Sequence, residues 1–183
     1  FTTVISQGTT CITNNANLIK KVYFPREILP ISIVTSGLIN FLISCVIILL
    51  FVLLGGCGIS WHLIFLPFIA LVQYIISLAI IFLLSAFNVY VKDVEYMVTF
   101  IINLFFYATP VLYSTEMFQG SWMIWLFRLN PMAHLINAYR DVFYVHRIPN
   151  LGNLTILLIA GIIVLTLCYK VFKKLEKRFA EEI

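Results

Sequence analysis

From Ile31 to Leu54 the chain runs 24 residues without a charged side chain, and Leu63 to Phe87 does so for 25. As helices rising about 1.5 Å per residue, both are long enough for a hydrocarbon core about 30 Å thick. Pro67 interrupts the second run, which a bundle tolerates because neighbouring helices re-satisfy the freed backbone groups. These two runs predict an all-α, polytopic membrane protein. The composition agrees: of 183 residues 62% are hydrophobic and 11% charged, where soluble domains carry about 25% charge.

Two further charge-free runs of 19 residues, Met97–Thr115 and Leu151–Tyr169, are also expected to span, the first with Pro110 near its far end. Phe1 to Ile19 is uncharged too, but eleven of its residues are Thr, Ser, Gln, Asn or Gly. Its start reads as the trailing end of a fifth span, and a chain opening on Phe1 reads as the C-terminal part of a longer protein. Met117–Phe127 holds only eleven uncharged residues, including Trp122 and Trp125, between Glu116 and Arg128. That is too short to cross and suits an interfacial or re-entrant segment. Asn130 and Pro131 then read as N-cap and first helical position of a helix reaching about Tyr144, with Met132, Leu135, Ile136, Tyr139 and Phe143 along one face. The expectation is one unit over residues 1–183: four complete spans, the end of a fifth, and two short re-entrant helices within 117–145 before the last span.

The net charge of +4 does not point to nucleic acid, because Lys and Arg cluster at the ends of apolar runs instead of striping a solvated face. Counting them orients the chain. With residues 14–27 on the cytoplasmic side, the inner segments hold nine basic residues and the outer ones hold Arg128, Arg140 and Arg147. The C-terminal tail is then cytoplasmic as well. Cys11, Cys45, Cys57 and Cys168 lie far apart, without metal-ligand spacing, and read as packing residues. The common signatures of nucleotide, zinc and serine chemistry do not occur, so neither an enzymatic role nor a cofactor is expected of this chain.

The charged stretch "NNANLIKKVYFPREILP", residues 14–30, interrupts this apolar pattern. Ile12, Ala16, Ile19 and Tyr23 fall on one helical face with Val22 beside them, while Lys20 and Lys21 turn elsewhere. Asn14 or Asn15 can cap the start, and Pro25 ends the helix by disfavouring helical geometry in Phe24. Two readings follow: an interfacial anchor with snorkelling lysines, or a docking helix that offers Tyr23 and Phe24 to a cytoplasmic partner.

Together with "LNPMAHLINAYRDVFY", residues 129–144, this stretch resembles the permease subunits of ABC-2 type polysaccharide and polyol phosphate exporters, the family that moves O-antigen, capsule and teichoic acid chains. The resemblance covers the whole chain. It implies a six-span subunit of the bacterial plasma membrane that works as a homodimer, exports a lipid-linked polysaccharide, and is driven by a separate ATP-binding subunit holding ATP and magnesium. Under it, Asn17, Leu18, Ile19, Lys20, Lys21, Val22, Tyr23, Phe24 and Pro25 match the coupling helix.

The same resemblance makes the segments 117–127 and 131–144 a pair of gate helices. It implies channel or gate roles for Trp122, Trp125, Asn130, Pro131, His134, Asn137, Arg140 and Asp141. Phe105, Phe106, Tyr107 and Tyr113 are aromatics of an expected channel span, where ring faces suit sugar faces; lipid-facing packing is the other reading. Arg26, Arg128 and Arg140 could each hold a diphosphate. Two rival functions stay open: an ABC-2 exporter of drugs or small lipids, and a polytopic enzyme acting on lipid-linked sugars.

Overall fold

The computed structural model describes residues 1–21, 24–54, 61–109 and 130–179. A short helix α1 (Thr2–Thr9) leads through a 3-10 turn (Thr13–Asn15) into α2 (Ala16–Lys21). After the loop at 24–27 come α3 (Ile28–Leu54), a 3-10 turn (Trp61–Phe65) running into α4 (Leu66–Tyr90), and α5 (Val94–Ala108). Then α6 (Pro131–Arg140) continues as a π-turn (Asp141–Val145), and α7 (Leu151–Glu176) ends the described chain but for a last turn near Phe179.

Three of these elements are long and apolar enough to cross a membrane: Ile28–Val52, Trp61–Tyr90 and Leu151–Glu176. The middle one is the hub. Other helices bury 56% of its apolar stretch, against 11% for α3 and 17% for α7, so α4 is the axis on which the rest packs. Pro67, expected to interrupt this span, instead stands in the first turn of α4. A missing N–H costs nothing there, because the first N–H groups of a helix have no intrahelical partner.

The span expected over Met97–Thr115 is different. α5 stops at Ala108 after 15 residues, and Thr109 takes an extended conformation with φ −102° and ψ 137°. The cause lies in the next residue, since Pro110 clashes with a helical geometry at the position before it. Thr109 Oγ1 donates back to the Phe105 carbonyl at 2.7 Å and accepts from Asn130 Nδ2 at 3.1 Å, which ties the end of α5 to the start of α6. The expected interfacial segment Met117–Phe127, with Tyr113, Trp122 and Trp125, lies outside the described residues, as do Val22 and Tyr23.

Asn14 and Asn15 do not open a fresh helix as free caps. Asn14 Nδ2 donates back to Thr10 Oγ1 at 3.1 Å and Asn15 Nδ2 to the Cys11 carbonyl at 2.8 Å. Both belong to the 3-10 turn that carries α1 almost without a break into α2. At Asn130 the side chain acts as read, its Oδ1 accepting from Met132 N at 2.9 Å; Asn150, not read from the sequence, caps α7 in the same way, its Oδ1 accepting from Asn153 N at 3.2 Å.

Small residues set how closely the helices approach, as expected where lipid leaves packing to hold helices together. α1 lies against α3 and α4 through two glycines. A Cβ at Gly8 would strike the Ile81 side chain of α4, and one at Gly37 of α3 would strike Val4. Ile5, Ile12, Ile19, Ile81, Phe82, Phe172 and Phe179 share the resulting main core. Cys11, Cys45 and Cys168 are buried and free, in keeping with a packing role.

Candidate functional site

The basic end of the bundle gathers segments that are far apart in the chain. Ile12, just ahead of the 3-10 turn, and Ile19 of α2 are buried, while on α2 Asn17, Lys20 and Lys21 are exposed. Leu18 is 47% exposed, an apolar side chain left on the outer face of this helix. Phe24 is half-buried and packs on the main core, and Pro25 is exposed. The loop is short and stiff: Ile28 N donates to the Pro25 carbonyl at 3.2 Å and Leu29 N to that of Arg26 at 3.3 Å, so α3 grows directly out of it.

Sequence reasoning missed Asn88, which is buried where α4 ends. Its Nδ2 donates to Thr13 Oγ1 at 3.4 Å, just ahead of α2, and its Oδ1 accepts from Glu95 N at 3.1 Å. Asp93, the residue before α5, offers no side-chain cap, so the open donor at the start of α5 is met from the preceding helix.

Arg26 and Glu27 reach the last turns of α7. Arg26 donates from its main-chain N to Glu176 Oε1 at 3.4 Å and from Nη1 to the Glu176 carbonyl, with its guanidinium 5.9 Å over the Phe179 ring. Glu27 Oε2 accepts from Tyr169 at 2.7 Å and pairs with Lys173 at 2.9 Å, and Lys173 also meets Glu176 at 3.0 Å. The Tyr169 hydroxyl and the Lys173 ammonium hold the Glu27 carboxyl below the usual carboxylate range. Tyr90 of α4 completes the assembly by donating to the Leu175 carbonyl at 3.0 Å.

At the opposite end, α6 runs antiparallel to α4. Phe143 clusters with Leu66, Tyr139 donates to Gln73 Oε1 at 2.9 Å, and the contacts on α4 move inward as the α6 numbers fall. Asn130, nine residues before Tyr139, therefore sits about 13 Å deeper at about 1.5 Å per residue, and it is buried. Of the expected apolar face Leu135 and Phe143 are buried while Met132, Ile136 and Tyr139 are half-buried; Ala138 and Val142, which were not placed on it, join Leu135 against Ile69, Val72 and Ile76 of α4 and Leu154 of α7.

The polar face of α6 opens onto a cavity of about 390 Å³, which brings together His134, Asn137, Arg140 and Asp141. Pro131 stays at the helix start. Arg147, Asn150 and Asn153 complete the lining and were not singled out from the sequence. Arg147 Nε donates to Asp141 Oδ1 at 2.7 Å, and Arg147 N to the Asp141 carbonyl at 3.0 Å. Of the channel aromatics, Phe105 is exposed on α5 in line with Phe100, Ile101 and Leu104. Phe106 and Tyr107 lie on the same helix, but their side chains are outside the described ones.

A membrane-crossing bundle around one buried helix, with a short basic helix held at one end and a helix turned back into the bundle at the other, defines a polytopic integral membrane protein. Residues 1–144 match the family described as ABC-2 type transporter. The chain is 33% identical over 184 residues to the O-antigen export system permease protein RfbA of Myxococcus xanthus, covering 100% of this chain and 71% of that protein. Two proteins of the same name from Klebsiella pneumoniae are 35% and 34% identical, over 91% of this chain and 64% of each relative. The chain belongs to the ABC-2 type transporter family. Membership implies a membrane location and an ATP-binding partner, and makes this a transporter's membrane part.

Proposed function

We propose that this chain belongs to the permease of an exporter that moves a lipid-linked polysaccharide outward across a bacterial plasma membrane, with ATP and magnesium held by a separate subunit. The observation that carries this reading is the identity of 33–35%, over nearly the whole chain, to proteins named as O-antigen export permeases. The basic end, with Lys20, Lys21 and the tail lysines, faces the cytoplasm in this reading, as the distribution of Lys and Arg demands. Asn17 to Pro25, α2 and the start of the loop behind it, is the coupling segment against the ATP-binding subunit, with Leu18 as its exposed apolar anchor. A second copy of the permease completes the channel, lined by the aromatic face of α5. The polar face of α6 (His134, Asn137, Arg140, Asp141), together with Asn130, Pro131, Trp122 and Trp125, guards the outer end.

Closure of the ATP-binding subunits would displace α2, and the stiff loop at 24–27 would pass that displacement to α3. Leu18→Glu tests the docking. In the full-length permease it should lower co-purification of the ATP-binding subunit by about tenfold, the loss of one buried interface anchor, and stop export while membrane insertion stays normal. Unchanged association and export would overturn the reading.

A further inference from the structure

The loop behind α2 is attached by side chains to α7, although of these two helices the chain links it covalently to α3 alone. Two successive residues make this attachment at two levels of α7. Glu27 meets Tyr169 and Lys173, at 2.7 and 2.9 Å, while Arg26 meets both the side chain and the main chain of Glu176. Main-chain and side-chain donors of one residue on one acceptor residue fix register as well as proximity.

Stability alone is a poor account of this arrangement. Lys173 and Glu27 keep 39% and 25% of their side-chain surface, and partly exposed ion pairs contribute about 0–1 kcal/mol. What the pairs do is hold position. Below them Phe179, fully buried, packs edge-on against Phe172 at 5.6 Å and Tyr90 at 6.2 Å. The end of α7 is thereby seated on α4 and cannot simply follow the loop as a loose tail.

The other end of α7 bears on the cavity. Leu154 is buried against Leu135, Ala138 and Val142 of α6, and Asn150 and Asn153 line the polar cup. A helix of 26 residues spans about 39 Å at about 1.5 Å per residue. One rigid element thus touches the loop behind α2 at its basic end and the wall of the cavity at its other end.

We propose that Arg26 and Glu27 clamp the loop behind α2 to the last turns of α7, so that a displacement of α2 reaches α7, and through it the α6 cavity, as well as α3. Both are positioning residues for transport, and the proposal rests on the reading of α2 as the docking helix. α7 is the element that the ATP-binding side and the cavity side both bias.

The test uses the full-length permease co-expressed with its ATP-binding subunit in cells lacking their own copy. Three quantities are read: co-purification of the two subunits, ATP hydrolysis by the complex, and polysaccharide at the cell surface. Glu27→Lys and Lys173→Glu should each leave association and hydrolysis intact and lower surface polysaccharide per ATP hydrolysed by about tenfold, within the range for residues along a coupling network. Glu27→Lys combined with Lys173→Glu should restore most of that ratio. Normal export in the single variants overturns the clamp and leaves the docking reading standing. Loss of association in them makes these residues part of the docking surface and also overturns it. Poor insertion in the single variants, repaired in the combination without a change in the ratio, makes the pair merely structural and overturns it too. Failure of the docking reading itself would appear separately, as normal association and export in Leu18→Glu.

Discussion

His146 carries the one positive φ outside glycine among the described residues, 53°, and it closes the π-turn after α6. The main-chain carbonyl of Asp141 accepts from both His146 N and Arg147 N there, the second bond one residue wider than the 6→1 closure that glycine usually makes. A side chain in left-handed geometry costs about 1–2 kcal/mol, and the His146 Nδ1 atom is buried without a hydrogen-bond partner. Among the described residues no hydrogen bond to this ring atom offsets that cost. His146→Gly should therefore hold or raise the thermal stability of the purified permease, by about 1 kcal/mol. His146→Val, β-branched in the same geometry, should lower it by about 1–3 kcal/mol. Thermal unfolding of the two variants side by side checks the ordering, and a destabilised glycine variant would mean that the ring supports the turn.

At the level of elements, the contacts of α1 depend on what its neighbours lack. Gly37 admits Val4 and Gly8 admits the Ile81 side chain, so α1 sets one side chain on the backbone of α3 and takes one from α4 on its own. Gly37→Leu should push α1 off α3 and cost about 1–3 kcal/mol, as overpacking does. Gly152, with only the Asn150 side-chain oxygen within 4 Å of its added Cβ at 3.4 Å, should take alanine with little effect; equal losses at the two sites would refute the argument. Such contacts are illegible in one sequence, because a helix shows its own period and not the partner lying against each face. What could be read was what depends on near neighbours. The charge-free runs gave α3, α4 and α7, Asn130 with Pro131 gave the start of α6, and the face of Ile12 and Ile19 gave the inward side of α2. Two failures came from proline read without its position, since Pro67 starts a helix and Pro110 stops one at the residue before. Asp141 and Arg147 stand six apart, a spacing that an α-helix does not bring together and the π-turn does. Asn88, Glu176 and Lys173 were found only when chain ends met, as no pattern in the sequence joins position 27 to 173.

For the molecule as a whole, burial is concentrated on α4, whereas α5 turns Phe100, Ile101, Leu104 and Phe105 outward, with Phe100 65% exposed. In the proposed exporter this aromatic face meets the equivalent face of the second copy across the channel, and the outward faces of α3 meet lipid or that copy. Cysteine at Phe100 should then be cross-linked between two permease copies by a short bifunctional thiol reagent. Cysteine at Ile159, 59% exposed on α7, serves as the comparison: cross-linking at Ile159 with none at Phe100 would put α5 in lipid. The clamp at the basic end also has a place in time. Arg26 and Glu176 are 150 residues apart, and at about 5–20 residues per second that distance is translated in roughly 8–30 s. Throughout that interval the Glu27 carboxylate waits at the membrane edge for a tyrosine and a lysine not yet made. In the proposed exporter, the surface that meets the ATP-binding subunit therefore reaches its final shape only once α7 has been made through Glu176.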